Sequence, residues 1–254
     1  MEKLLQWSIK AQEEGMAAPP PDPKQLAILF GAPDELAEMA VELHTASSTQ
    51  NEHITLDQRI EQLESFHDHV ENIDNANNIG SMWPVLIKLI DDPEPEISGL
   101  ALSSIGAAVQ NNRKSQLDLC NQEGAVAKII SKCESKSVIE KKQALFALSS
   151  ALSHCPEVYD QFTAVKGWEV LSNLLNTDVM KGTNSALRTR VLSVFNSLGM
   201  LIEDRSDVAI ELKKFKPDFE KILKTEEDGS TDGEKIITVL SCLQTAKPIK
   251  LLEE

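Results

Sequence analysis

One apolar segment occurs twice in this chain. Residues 101–109 read ALSSIGAAV and residues 144–152 read ALFALSSAL, so the second copy begins 43 residues after the first. The apolar stretches that follow, which begin at Gly124 and Gly167, are also 43 residues apart. Two segments that agree on one offset indicate an internal repeat. A period of about 40–47 residues is typical of helical solenoids, in which each unit buries its apolar face against the next.

The repeated segment has a helical pattern. Leu102, Ile105 and Val109 fall on one face at helical spacing. The positions between them are mostly small: Ala101, Ser103, Ser104, Gly106 and Ala107. We therefore expect helices that approach their neighbours closely.

The same reading along the chain predicts four long helices, each followed by a short and a medium helix. The long helices are expected at 56–73, 96–110, 137–154 and 184–202, and a helix at 234–245 would cap the stack. HEAT units have two helices, whereas three per unit are typical of armadillo units. The sequence thus predicts an all-α, armadillo-like superhelical solenoid over residues 54–254. Its long helices would line a concave groove.

The first fifth of the chain follows no such pattern. Four of the five residues 19–23 are prolines, which remove backbone donors and break a helix. Short helices are expected on either side of this break, one of them at 34–44. We therefore predict that residues 1–53 form a flexible segment with short helices.

Charge limits the classes of partner. The formal net charge is −15, from 25 basic and 40 acidic residues. Such a chain is repelled by phosphate backbones and by anionic membranes, so we expect neither as a partner. The first residues lack the apolar core of a signal peptide, and no Cys-x-x-Cys pair occurs. We therefore expect a cytoplasmic protein with reduced thiols.

Catalytic and metal-binding signatures are missing from the sequence. It contains no phosphate-binding loop, serine-hydrolase elbow or zinc-protease motif. His67 and His69 resemble a metal pair, but residues two apart on a helix point about 200° apart and cannot share one ion. We predict solvated histidines, no cofactor and no enzymatic activity.

The scarce basic residues are more informative. Lys141, Lys142, Arg188 and Arg190 lie early on the third and fourth long helices. They either have local acidic partners on solvated faces or form an electropositive spot for an acidic partner. For Arg190 we expect the second role, because an unpaired guanidinium buried among the apolar neighbours of this helix would be too costly.

Several segments resemble one family. They are residues 1–9 (MEKLLQWSI), 71–78 (ENIDNANN), 106–112 (GAAVQNN) and 144–149 (ALFALS). They are similar to the fungal cytosolic nucleotide exchange factors of the 70-kDa heat-shock chaperone and to their mammalian relative, the heat-shock-protein-binding protein. The resemblance covers nearly the whole chain but weakens after about Met180.

The resemblance implies a function. Members of this family bind the ATPase domain of the chaperone, distort its nucleotide cleft and so promote release of ADP and then of the client. Together with the basic spot, it implies these chaperone-binding residues: Asn75, Ala76, Asn77, Asn78, Lys141, Arg188 and Arg190. By the same resemblance, Leu4, Leu5 and Trp7 would mimic a client and help to release it. A monomer is expected.

An alternative function stays open at this point. An armadillo adaptor could hold an extended peptide or a partner protein without any effect on nucleotide. Such grooves usually present a ladder of Trp and Asn on successive long helices. Here Trp7, Trp83 and Trp168 all lie outside the predicted long helices, which counts against the adaptor.

Overall fold

The computed structural model describes residues 34–49, 53–176, 185–224 and 229–245. Within these residues the chain forms fourteen α-helices, one 3₁₀ turn and no strand. In chain order they are α1 Asp34–Ala46, α2 Leu56–Val70, α3 Ile73–Ala76, the 3₁₀ turn Gly80–Met82, α4 Trp83–Leu89, α5 Pro95–Val109, α6 Arg113–Cys120, α7 Ala125–Lys132, α8 Val138–Leu152, α9 Pro156–Ala164, α10 Gly167–Leu175, α11 Ser185–Gly199, α12 Ser206–Lys214, α13 Lys216–Leu223 and α14 Thr231–Thr245.

Five long helices form a ladder. α2, α5, α8, α11 and α14 each have 15 residues, and each packs side by side against the next. The first four are each followed by a short and a medium helix, and α14 covers the exposed side of α11. The predicted all-helical, armadillo-like stack of four units and a cap is therefore confirmed. The four later long helices begin and end within three residues of their predicted limits.

Glycine allows α5 and α8 to approach closely. A Cβ atom at Gly106 would lie 2.6 Å from the ring of Phe146, and one at Gly99 would lie 2.6 Å from Cγ2 of Ile139. Real side chains do not tolerate such distances, so only glycine fits without a shift at either position. The expectation that small residues permit close helix approach is confirmed at Gly106.

The first long helix ends earlier than predicted. α2 stops at Val70, and Asn72 caps a separate short helix because its side chain accepts a hydrogen bond from the backbone N–H of Asp74 at 2.9 Å. Ile73, the last residue of the predicted long helix, is 53% exposed. The cap competes with continuation of α2 and redirects the chain.

The stack also begins earlier than predicted. Met39 and Leu43 of α1 are buried in the common core, and the Nε–H of Arg59 donates to the carbonyl of Ala46 at 2.7 Å. The same guanidinium forms a buried ion pair with Asp92. Because these contacts fix α1 on α2, the packing does not start at the predicted boundary near residue 54.

The structure describes residues 34–49 and 53 of the segment 1–53 that we predicted to be flexible. Its last helix, α1, belongs to the stack. Residues 1–33, which include Leu4, Leu5 and Trp7, lie outside the described residues, so flexibility there stays a prediction.

Candidate partner-binding site

A shallow depression crosses the ladder. It has a volume of about 350 Å³ and receives side chains from α2, α5 and α8. Its lining residues are His67, Glu71, Ser103, Ala107, Gln110, Asn111 and Phe146. Because three consecutive long helices contribute, the depression depends on the repeat and not on any single loop.

Phe146 joins this depression to the next helix. The guanidinium of Arg190 on α11 lies over the Phe146 ring, 4.6 Å from its centroid, which is a cation–π contact. The ring also meets Gly106 of α5, where a Cβ atom would collide with it. The glycine therefore sets the position of the ring, and the ring supports the arginine.

Arg190 carries a charge without a carboxylate in the described part of the chain. It is half-buried, and burial lowers the pKa of its guanidinium from the ordinary value. The ring beneath the cation offsets part of the loss of water around it. Such a cation can form a favourable ion pair with an acidic group of a partner protein.

Arg188 has a different environment from that of Arg190. Its Nε–H donates to Oδ2 of Asp232 at 2.8 Å, and the two side chains are only 21% and 6% exposed. Residues two apart on a helix point in nearly opposite directions, so one arginine meets α8 and the other meets α14. Arg188 therefore joins α11 to the cap, as in the local-partner alternative, and the electropositive spot is smaller than expected.

The two lysines of α8 also differ. Both are half-buried, and neither forms an ion pair among the described residues. Lys142 lies four residues before Phe146 and so shares its face of the helix, whereas Lys141 lies close enough to Cys133 to influence that thiol. The sequence placed both lysines in the basic spot, but the predicted chaperone-binding residues included Lys141 and not Lys142 or Phe146. The four-residue spacing could have linked Lys142 with Phe146.

The asparagine-rich turn is largely structural. Asn75 is buried, and its Nδ2 donates to Oε2 of Glu35 at 3.0 Å and to the carbonyl of His69 at 3.1 Å. Ala76 is only 2% exposed, and its carbonyl accepts a hydrogen bond from Ser115 at 3.1 Å. These two residues hold the turn between α1, α2 and α6, and their side chains have almost no surface for a partner.

The next two asparagines are more accessible. The carbonyl of Asn77 accepts from the ammonium of Lys114, while its Oδ1 is buried without a hydrogen-bond partner. Asn78 is exposed and donates to the carbonyl of Asp74 at 2.7 Å. Among the described residues, no hydrogen bond of the turn reaches α8 or α11. The predicted site residues thus fall into two separate groups.

The histidine pair is partnered rather than simply solvated. Nδ1 of His67 lies 3.4 Å from Oγ of Ser104, and Nδ1 of His69 lies 3.2 Å from Oε2 of Glu42. The two rings meet different helices, α5 and α1. Within the described ranges, no group of three or more His, Cys, Asp or Glu side chains is arranged to hold a metal ion. None of the helices in these ranges combines the length and apolarity needed to cross a membrane.

Two family models match this sequence. Residues 1–79 match a model described as nucleotide exchange factor Fes1, and residues 72–240 match one described as the SIL1/FES1/HPBP1 C-terminal domain. The chain belongs to the SIL1/FES1/HPBP1 family. The second model spans α5, α8 and α11, and the first spans α2, so the two together cover the surface described above.

Curated relatives support membership in the SIL1/FES1/HPBP1 family. A protein of Kluyveromyces lactis named Hsp70 nucleotide exchange factor FES1 is 38% identical over 207 residues, which cover 76% of this chain and 71% of the relative. One of Debaryomyces hansenii with the same name is 33% identical over 258 residues, which cover 97% of this chain and 87% of the relative.

Solved structures support the fold alone. A designed armadillo repeat protein in complex with the peptide (KR)4 superposes with a TM-score of 0.64 at 14% identity, over 86% of this chain and 84% of the designed one. A second designed armadillo repeat protein for peptide recognition also gives 0.64 at 14% identity, over 79% and 80% of the two chains. At this identity the similarity concerns the arrangement of helices and not the ligand.

Proposed function

We propose that this chain is a nucleotide exchange factor of the 70-kDa heat-shock chaperone. It binds the ATPase domain of that chaperone, promotes release of ADP and so leads to release of the client. The observation that carries this proposal is the family match over residues 72–240, together with the printed names of the relatives, which are Hsp70 nucleotide exchange factors.

The ladder is the surface we assign to the chaperone. Arg190 is its direct anchor, because the cation is partly desolvated and has no carboxylate among the described residues. Lys142 and Lys141 extend the positive charge on α8, and Asn77 and Asn78 form a second, smaller contact. In this proposal Asn75, Ala76 and Arg188 position the binding elements without touching the partner.

A surface with few anchors suits an exchange factor. If the factor weakens nucleotide binding by some ratio, nucleotide must weaken binding of the factor by the same ratio. The affinity therefore has to be modest, or ATP could not displace the factor. One arginine, two lysines and a short polar turn fit this requirement better than a large apolar groove.

The amino-terminal segment acts after exchange in this proposal. Leu4, Leu5 and Trp7 would occupy the client groove of the chaperone. Replacing all three by Ala in the full chain should leave ADP release unchanged and slow release of a labelled client peptide. An equal loss of both rates would show that the segment has another role.

We also propose an oligomeric state and a cellular compartment for the protein. The protein acts as a monomer in the cytoplasm, and it needs no cofactor or catalytic group of its own, because the chemistry belongs to the chaperone.

Stopped-flow release of fluorescent ADP from the chaperone tests the function. We expect this protein to accelerate release in proportion to its concentration until saturation. The adaptor alternative predicts binding to the chaperone, or to an extended peptide, with the rate of ADP release unchanged.

A further inference from the structure

The ring of Phe146 lies between a glycine of one long helix and an arginine of another. A Cβ atom at Gly106 would lie 2.6 Å from both Cδ1 and Cε1 of the ring, and the guanidinium carbon of Arg190 lies 4.6 Å from the ring centroid. The helices α5, α8 and α11 thus each contribute one residue to a single contact. Because only glycine fits at 106 without a shift, the position of the ring is set from α5.

The hydrogen-bond donors of Arg190 are unused within the described part of the chain. A guanidinium has five N–H donors, and here none of them has a protein acceptor among the described residues. The attraction between the cation and the ring is electrostatic and needs no N–H donor. A guanidinium held in this way can still bind a carboxylate through two parallel hydrogen bonds. The ring therefore holds the cation without occupying the groups that a partner would use.

A second cation–π contact shows what a purely structural pair looks like. The guanidinium carbon of Arg205 lies 4.9 Å from the ring centroid of Tyr159, which is fully buried. Arg205 also forms ion pairs with Asp160 and Asp207, so its charge is satisfied within the fold. The ring of Phe146 is only half-buried, and the arginine above it has no carboxylate among the described residues. Of these two contacts, only the one at Phe146 leaves a cation available to a partner.

Exclusion of water should strengthen the contact at Phe146 when a partner binds. The ring lines the depression that α2, α5 and α8 form, so a protein that covers this depression removes water from the ring and from the cation above it. Cation–π attraction is larger at desolvated sites than at exposed ones. The contact therefore contributes more to a complex than to the free chain.

We infer that Phe146 is a positioning residue for partner recognition, which holds the guanidinium of Arg190 in the orientation that binds a carboxylate of the chaperone's ATPase domain. This inference rests on the proposed function. It adds that the affinity depends on an uncharged residue of the helix next to the arginine.

A double-mutant cycle measured by calorimetric titration of the full chain against the ATPase domain tests this role. Phe146→Leu should lower the affinity about 10-fold, because the guanidinium loses both the cation–π contact and its fixed orientation. Phe146→Tyr should restore near-wild-type affinity, because the aromatic ring is retained. In the background of Arg190→Met, Phe146→Leu should have almost no further effect, since the residue through which it acts is gone.

Phe162→Leu is the matched control. The ring of Phe162 on α9 is fully buried and also packs on a glycine, because a Cβ atom at Gly167 would lie 2.1 Å from its Cε2 atom. No arginine of the described residues lies over this ring. Phe162→Leu should therefore lower the melting temperature and leave the affinity unchanged, which separates a loss of packing from a loss of the arginine's position.

Nuclear magnetic resonance of the free chain gives a readout that needs no partner. Protons above the face of an aromatic ring are shifted upfield by its ring current. We expect this shift for the side-chain protons of Arg190 in the wild type and in Phe146→Tyr, and ordinary values in Phe146→Leu.

The outcomes separate this inference from the proposed function. Wild-type affinity of Phe146→Leu, or losses that simply add in the double variant, would overturn the inference and leave the exchange function intact. The absence of an upfield shift for Arg190 in the wild type would also overturn it, even where Phe146→Leu fails to fold. If the wild type itself neither binds the ATPase domain nor accelerates ADP release, the proposed function is wrong.

Discussion

Two pairs of adjacent long helices, α5 with α8 and α11 with α14, are held together by different interactions. Between α5 and α8, glycines at 99 and 106 admit side chains of the facing helix at distances that no Cβ atom allows. Between α11 and α14, a Cβ atom at Gly199 would lie 3.7 Å from Val239, an ordinary contact, and the ion pair of Arg188 with Asp232 joins the helices. The first pair depends on shape and the second on charge. They should therefore respond to different substitutions.

The largest effect is expected at the charged pair. Arg188→Met removes the guanidinium and leaves Asp232 buried without it, which should lower the free energy of unfolding by about 2–4 kcal/mol. Denaturant unfolding followed by circular dichroism measures this loss. In the double variant with Asp232→Asn, part of the loss should be recovered, because the uncompensated charge is gone. A single variant as stable as the wild type would show that the pair does not hold the cap.

A smaller effect on stability is expected between α5 and α8, where close packing joins the helices. Gly106→Ala should destabilise the protein by about 1–2 kcal/mol, since the clash with Phe146 outweighs the better helix propensity of Ala. Gly199→Ala is the matched control on the other pair, where the propensity gain should leave stability equal or slightly higher. If both variants behave alike in thermal unfolding, close approach is not what distinguishes α5 and α8.

Acid should weaken the contact between α7 and α8 through Glu140, which forms an ion pair with Lys132. Burial disfavours its carboxylate, but hydrogen bonds from Lys132 and Ser135 outweigh burial, so its pKa is lowered from the ordinary value of 4.5. A lowered pKa means that the stabilisation is complete above pH 4.5 and is lost as pH falls through the folded value. Glu140→Gln should therefore cost about 1 kcal/mol at pH 7 and progressively less as the pH falls below 4.5. A constant difference across this range in pH-dependent denaturation would contradict the prediction.

Much of the fold was predictable because it repeats. The spacing of 43 residues located the ladder, and apolar periodicity gave helix limits close to those observed. The cap at Asn72 was not predicted, because an asparagine side chain can either end a helix or be tolerated at its surface. The docking of α1 was also missed, because Met39 and Leu43 alone do not show that a partner helix lies beside them.

The site was less predictable than the fold. The sequence shows that Arg188 and Arg190 are charged, but it does not show that Arg188 pairs with an acidic residue distant in the chain. Asp232 lies 44 residues from Arg188, and only the packing of α14 brings it there. In the sequence, Phe146 does not differ from the other apolar residues of α8. Its cation–π contact with Arg190 is apparent only once its packing against Gly106 of α5 is known.

We propose that Arg190 binds the chaperone, whereas Arg188 stabilises the packing of α14 on α11. A suitable control is Lys213→Glu, because Lys213 is exposed on α12 without an ion pair in the described part of the chain. Lys128 is not a suitable control, because it pairs with Asp91 at 2.5 Å.

The most direct test is a calorimetric titration of Arg190→Glu against the ATPase domain, with thermal unfolding of the same preparation. Charge reversal at a desolvated contact should cost about 2–5 kcal/mol, which is a loss of affinity of about 30-fold or more. Loss of the cation–π contact should lower stability by only about 1 kcal/mol, and Lys213→Glu should bind like the wild type. Wild-type affinity for Arg190→Glu, or a large fall in its melting temperature, would contradict the account.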